Sequence, residues 1–336
     1  MSAFAPFTFL HINDHHLGTP RSYRFRPAVN RRWAAIKAQL AGVDADLLLV
    51  GGDLTRDGDT HEYEYRLARE DLESLPFPAF VIPGNMDVGN KHTCRQSARP
   101  DRDDIALNVK SSRLHLFSSY FGPIQWTFLH REVRFTGFYA AVAGSGLPEE
   151  DQFWRFVERL PSQPRGRHHV AMMHYWLYMD EPAEPNWDIG TKEEYLLWYF
   201  GIDEPHRSRL LGVLQDAGVD VLFCGHVHTG RPVEQVGGLR VYKTPAAGNT
   251  AQLTGRWDHI ETRQGFQRCQ VTADGIDVAF VPGADQCEEF GSWGPQGHPT
   301  LEERDYSVAR EQPPLAPDPW LLPGGGPDPR HPQASA

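Results

Sequence analysis

The sequence predicts an α/β fold, and three observations carry that expectation. Through the first 90 residues, short apolar runs of strand length alternate with segments whose apolar residues recur at helical spacing. Such alternation implies a largely parallel sheet joined by right-handed crossovers. Five apolar runs end in small groups of Asp, Asn or His side chains, and ligands of α/β sheets gather at the carboxyl ends of strands.

The five runs are Phe7 to Ile12, Leu47 to Val50, Phe80 to Ile82, Val170 to Met173 and Val219 to Cys224. Between the first two, Val29, Trp33, Ile36 and Leu40 mark a helix that Gly42 ends; Tyr65, Ala68, Leu72 and Leu75 mark a second, stopped by Pro76. Residues 91–123 break the rhythm with a mixed, charged stretch (Lys91, Arg95, Arg99, Arg102, Lys110, Arg113), read as an insertion on the side of the clustered polar groups. Strands are expected over Ile124 to His130 and Val133 to Tyr139, then a helix over about Glu149 to Leu160, with Phe153, Phe156, Val157 and Leu160 on one face. A second insertion, Tyr175 to Pro205, precedes a helix over Arg207 to Ala217, and Gly218 suits the position just past its end. The segments VEQV, LRVYK, FQRCQV and IDVAFV read as short alternating strands with hairpin signals at Gly237-Gly238 and Asp274-Gly275, expected to extend a second sheet. From Gly283 to Ala336 the composition changes: ten of the 27 prolines fall there, so an irregular C-terminal arm is expected after a main domain over residues 1–282.

A chain of 336 residues can bury a full core. No stretch approaches the roughly 20 apolar residues of a membrane span. The opening MSAFAPFTFLHIN lacks a basic n-region and is expected to be the first strand. Cys94, Cys224, Cys269 and Cys287 show neither pairing nor CxxC spacing, which argues against a structural zinc cluster and for a reducing, cytoplasmic setting. The net charge of −11 is concentrated in the arm, which carries nine acidic against three basic residues. Nothing resembles the basic footprint of a duplex-binding protein, so nucleic acid is disfavoured as a partner.

The polar groups are Asp14, His15 and His16 in HINDHHLG, Asp53 in GGDLT, Asn85 and Asp87 in PGNMD, His174 in MMHYW, and His226 and His228 in CGHVHTG. Asp14 and His16, two apart just past a strand, can point to one side, and so can His226 and His228. Carboxylate, carboxamide and imidazole donors suit divalent transition metals. Seven of them on one edge suggest two ions. A lone His or a lone Gly-Asp is more often structural; five motifs in order, each after a strand, make a stronger signal.

The series DxH, GD, GNxD, H, GHxH, running from residue 14 to residue 228, resembles the calcineurin-like metallophosphoesterase superfamily. GDLTRDG followed by Glu62 and Tyr63 is closest in style to its class III cyclic-nucleotide phosphodiesterases, and it departs from the GDxVDRG and GNHE of the protein phosphatases. The resemblance implies a four-layer α/β/β/α sandwich of two mixed sheets flanked by helices, with metals at one edge. It assigns Asp14, His16 and His228 to one ion, Asn85, His174 and His226 to another, and Asp53 to both. Water activated between the ions would attack phosphorus. The ions would be two divalent or mixed-valence metals, drawn from Mn, Fe, Zn, Co and Ni. Asp87 would orient a ligand by hydrogen bonding.

One position departs from the family pattern. Met86 stands where the family usually carries a His after the Asn, and a thioether can neither donate a proton nor bear charge. His15 and His92 are the candidates to contact substrate in its place; the alternative is that both are solvated loop residues. The second insertion holds Tyr175, Trp176, Tyr178, Trp187, Tyr195, Trp198, Tyr199 and Phe200. These rings would either stack a base or cover a lipid or sugar, or else pack the insertion onto the sandwich or form a dimer contact. The basic residues of 91–113 would bind a second phosphate or form a solvated loop. The expected function is phosphoester hydrolysis, diesters favoured over monoesters, on a small phosphate-ester substrate. A homo-oligomer could form through the aromatic insertion or the arm. The rivals are a non-catalytic scaffold that binds protein partners and a metal-dependent nuclease.

Overall fold

The computed structural model describes residues 4–18, 26–99 and 105–288. Along the chain these form β1 (Phe7–Ile12), α1 (Pro27–Ala41), β2 (Leu47–Val50), α2 (Glu62–Glu73), β3 (Ala79–Val81), α3 (Asn85–Val88), α4 (Ser111–Phe121), β4 (Gln125–His130) and β5 (Val133–Phe138). There follow α5 (Pro148–Val157), β6 (His168–Met173), α6 (Lys192–Phe200), α7 (His206–Asp216), β7 (Val221–Cys224), β8 (Glu234–Val236), β9 (Leu239–Lys243), β10 (Gly265–Val271) and β11 (Ile276–Pro282).

The strands make two mixed sheets, ordered β11-β10-β1-β2-β3 and β4-β5-β6-β7-β9-β8. In the first, β1, β2 and β3 run parallel. In the second, β5, β6, β7 and β9 do. Period-two alternation sorts their side chains between two cores. Phe7, Phe9, Leu47, Leu49 and Phe80 face Phe128, Val133, Phe135, Val170, Met172, Val221 and Phe223 between the sheets. Leu10, Ile12, Leu48, Val50, Ala171, Met173 and Leu222 face outward into a core shared with the helices. Strands buried on both faces explain why these runs read as continuously apolar rather than alternating. The result is the four-layer arrangement of helices, sheet, sheet and helices.

In α1, Pro27 sits at the first turn, and Val29, Trp33, Ile36 and Leu40 are buried. The second helix ends at Glu73, before Pro76, and Leu75 packs beyond its end. Gly218, with φ +64°, follows α7 as expected.

Two expectations are corrected. Residues 111–121 are not loop but the helix α4, which buries Leu114, Phe117, Tyr120 and Phe121. Phe117 and Phe121 lie 5.9 and 5.8 Å from the Tyr65 ring of α2. The spacing of these residues is helical, but the flanking charges masked it. The last four strands also do not share a sheet: β8 and β9 extend the six-stranded sheet, whereas β10 pairs antiparallel with β1 and carries β11 to the edge of the other. Residues 283–288 run along α1, with Asp285 2.6 Å from Arg31 Nε and the Cys287 carbonyl accepting from Arg32 Nε at 2.8 Å. The remainder of the expected arm, residues 289–336, and Arg102 lie outside the described residues.

Candidate metal centre

The motif loops leave the carboxyl ends of β1, β2, β3, β6 and β7 and are stitched together through the backbone. The Asp14 and His16 N–H groups donate to the Gly52 and Asp53 carbonyls, both at 3.0 Å, and the Gly225 N–H donates to His174 O at 2.9 Å. Five of the seven predicted donors have left-handed backbone: Asp14 (φ 56°), His16 (47°), Asp53 (51°), His226 (71°) and His228 (61°). Each such conformation costs an L-residue roughly 1–2 kcal/mol, and strain of this kind persists where surrounding structure over-determines a functional geometry. The loops also meet without room to spare. A Cβ on Gly84 would stand 2.7 Å from Asp53 Cγ, so only glycine fits there.

The side chains converge in two groups that share Asp53: Asp14, His16, Asp53 and His228, and Asp53, His174 and His226. In the first, His16 Nε2 lies 3.1 Å from His228 Nε2 and 3.5 Å from Asp53 Oδ2, and His228 Nε2 lies 3.4 Å from Asp14 Oδ1. In the second, His174 Nε2 lies 3.4 Å from Asp53 Oδ1 and 3.3 Å from Asn85 Oδ1. Two donors bonded to one ion at about 2.1 Å stand roughly 3.0–3.4 Å apart at right or tetrahedral angles, so these spacings suit cations.

The surroundings fit the same chemistry. His174 Nδ1 lies 2.9 Å from the Gly51 carbonyl and His228 Nδ1 3.0 Å from the Thr250 carbonyl. Donating Nδ1–H to a carbonyl turns the Nε2 lone pair toward the cluster, the usual support for a metal-ligating histidine. Asp14 Oδ1 is buried without a hydrogen-bond partner, while Oδ2 accepts from the Asn13 amide and the His226 N–H. Burial alone would raise the Asp14 pKa, but the His228, His174 and His16 imidazoles hold it below the ordinary carboxylate range. Burial pushes His16 and His226 well below the usual imidazole value and so keeps them neutral. Burial also works against protonation of His174, but Asp53 and Asp14 outweigh it and raise the pKa to about 9.

Asp87 does not touch the donors directly. Its carboxylate accepts from Gly84 N at 2.8 Å, Leu54 N at 3.2 Å, Thr55 N at 3.0 Å and Thr55 Oγ1 at 2.7 Å. It therefore joins the loop of Asp53 to the loop of Asn85. Burial and the Asp53 charge push its pKa up to about 7, against the pull of those donors.

The two candidate replacements for the missing histidine part company. His15 is buried with its ring 4.6 Å from the Trp33 ring, and neither ring nitrogen has a partner, so it is a core residue and not a solvated one. His92 is exposed and lines a cleft of about 360 Å³ whose wall includes Trp187, Trp198 and His206 but none of the seven donors. For the aromatic insertion the structure decides between the alternatives: seven of its eight rings, all but Trp187, are buried and pack the insertion into the chain's own core. Three of them instead pack on one donor, with Tyr175, Phe200 and Tyr199 ring centroids 4.2, 4.8 and 5.2 Å from that of His226. Lys91 and Arg113 are buried and paired with Asp203 and Asp59 at 3.1 and 3.0 Å, whereas Arg95 pairs with Asp188 at 3.0 Å on the surface. Sequence reasoning missed Asn90 and the hydroxyl of Tyr199, which bind the Asn85 amide at 3.0 and 2.8 Å. The Tyr199 contact joins positions 114 residues apart, which no periodicity reports.

Comparison with known proteins bears on the fold and the family. The profile of calcineurin-like phosphoesterases matches residues 7–230. A probable cyclic nucleotide phosphodiesterase from Synechococcus sp. is 34% identical over 110 residues, covering 32% of this chain and 42% of that protein. Purple acid phosphatase from yellow lupin (Lupinus luteus) seeds superposes with a TM-score of 0.59 at 14% identity, over 86% of this chain and 53% of that one. The anchor in the inner membrane complex of Plasmodium superposes with a TM-score of 0.53 at 14% identity, over 90% and 92% of the two chains. At such identities the superpositions speak for the fold. The matched regions span about half or less of the Synechococcus and lupin proteins.

Proposed function

The chain belongs to the calcineurin-like phosphoesterase family, and from that premise we propose that it is a binuclear metal-dependent phosphodiesterase of small phosphate esters. The observation that carries this reading is the pair of donor groups sharing Asp53. Asp14, His16, Asp53 and His228 would hold one cation; Asp53, Asn85, His174 and His226 would hold the other. Two ions, when bound, acidify water and bear charge on the transferring phosphoryl group. The protein's part is to hold the donors rigidly, through left-handed loops and buried second partners, and to keep His16 and His226 neutral. Mn, Fe, Zn, Co or Ni would satisfy this mix of carboxylate, carboxamide and imidazole.

One observation favours diesters. The Synechococcus relative is a probable cyclic nucleotide phosphodiesterase. Met86, half-buried, offers only its backbone N–H to Asp53 Oδ1 at 2.8 Å and no proton for a leaving group. General acid catalysis contributes roughly 10²–10⁴-fold, so turnover should depend strongly on the leaving group. The test is hydrolysis of bis-p-nitrophenyl phosphate and p-nitrophenyl phosphate by protein stripped of metal and reloaded with Mn²⁺, with Asp53→Asn as control. Diester turnover above monoester turnover, lost in the variant, supports the proposal. Monoester turnover alone, or no turnover of either ester despite two bound ions, would refute the diesterase assignment.

A further inference from the structure

A carboxamide has two unlike ends, and only its oxygen can ligate a cation. Asn85 therefore serves a metal only if its amide is held the right way round, and nothing in the motif GNMD dictates that choice. In the structure the Asn85 Nδ2 group donates to Asn90 Oδ1 at 3.0 Å and to the Tyr199 hydroxyl at 2.8 Å. Tyr199 in turn donates to the same Asn90 oxygen at 3.2 Å. Both amide hydrogens are thus engaged on one side, which leaves Oδ1 on the other, 3.3 Å from His174 Nε2. Asn85, Asn90 and Tyr199 are 4%, 3% and 3% exposed, so water does not compete for these bonds.

Tyr199 reaches this point because α6 is anchored at both ends. Thr191 caps its start by accepting from the Glu194 N–H at 3.3 Å. At its other end, the Phe200 carbonyl accepts from the Trp176 N–H at 3.1 Å, and just past it the Gly201 carbonyl accepts from Lys91 Nζ at 2.9 Å. Lys91 adjoins Asn90, and Trp176 lies two residues past His174. The aromatic insertion is therefore tied to two of the motif loops.

We infer that Tyr199, with Asn90, is a positioning residue that locks the Asn85 carboxamide with its oxygen toward the second cation. The inference rests on the binuclear reading above and extends it: the insertion completes the coordination sphere from outside. Removing a partner of this kind typically weakens metal affinity 10–100-fold.

The experiment is titration of the full, metal-stripped chain with Mn²⁺, followed by calorimetry and by electron paramagnetic resonance of the free ion, for wild type, Tyr199→Phe, Asn85→Ala and the double variant. The expected result is two ions in wild type, with the second bound about tenfold more weakly in Tyr199→Phe. The effect should fall below about twofold when Asn85 is already Ala, because a residue acting through Asn85 cannot act without it. Urea unfolding of the metal-free proteins runs alongside, and Asn90→Leu substitutes should Tyr199→Phe not fold. Unchanged second-ion affinity in Tyr199→Phe, or an equal loss with and without Asn85, would overturn the inference while leaving the binuclear reading standing. A wild-type chain that takes fewer than two ions would overturn both.

Discussion

Asp87→Ala is the sharpest test of how the site is held. The Asp87 carboxylate is fully buried and accepts four hydrogen bonds, three of them from backbone N–H groups at 2.8–3.2 Å. Truncation leaves the N–H groups of Gly84, Leu54 and Thr55 without an acceptor. A buried donor stripped of its partner costs about 1–3 kcal/mol. Taking the lower figure, because water can enter the vacated space, the three together come to about 3 kcal/mol of stability. Gly84 and Leu54 flank Asn85 and Asp53, so the two loops should also lose their common register. Metal affinity should then fall by roughly 10–100-fold. Asp87→Asn preserves the volume but turns an NH₂ toward the same donors, so it should be destabilised as well, which separates lost packing from lost acceptors. The assays are urea unfolding of the metal-free chain and calorimetric titration with Mn²⁺. A loss below about 1 kcal/mol in both variants, with metal affinity unchanged, would refute the argument that this carboxylate joins the loops.

Three further outcomes are expected. Gly84→Ala places a Cβ against the Asp53 carboxylate; it should destabilise the fold by about 1–3 kcal/mol and abolish binding of two Mn²⁺ ions, and retention of both ions would count against the crowding argument. Phe135→Ala removes a ring packed between the sheets 5.1 Å from Phe9 and 5.4 Å from Phe128; unfolding should cost about 3–5 kcal/mol less than in wild type, with Mn²⁺ stoichiometry of the folded protein unchanged. His169 is buried, and desolvation lowers its pKa from 6.5 to about 4. Its stabilising contribution is complete above about pH 6.5 and is lost as pH falls toward about 4, because the unfolded chain binds the proton that the folded chain refuses; the slope is about 1.4 kcal/mol per pH unit. The stability gap between wild type and His169→Gln should therefore shrink between pH 7 and pH 5, and urea midpoints that move in parallel would contradict the assignment.

Much of the candidate site is legible in the sequence. A short polar side chain just past an apolar strand, directly after a glycine in three of the five motifs, is a local feature, and it marks Asp14, Asp53, Asn85, His174, His226 and His228 as candidate neighbours. The helices α1, α2, α5 and α7 were legible for the same reason: each carries its apolar stripe within its own few turns. The helix α4 carries one too, in Leu114, Phe117 and Phe121, but charged neighbours obscured it. The fate of β10 was not legible. Alternation in FQRCQV says that one face is buried, and it is silent on which sheet supplies the partner; the pairing of Cys269 with Phe9 decides that.

By itself, then, the sequence determined the α/β class and the order of the five motifs, because both depend on spacing along the chain, and through its resemblance to a known family it marked the candidate donors. The tertiary structure alone decided that His15 packs on Trp33, that the aromatic insertion fills a core instead of a substrate cleft, and that Tyr199 orients Asn85 from 114 residues away. Those outcomes depend on which distant surfaces meet, and a local pattern of polar and apolar residues specifies a face without specifying what will cover it.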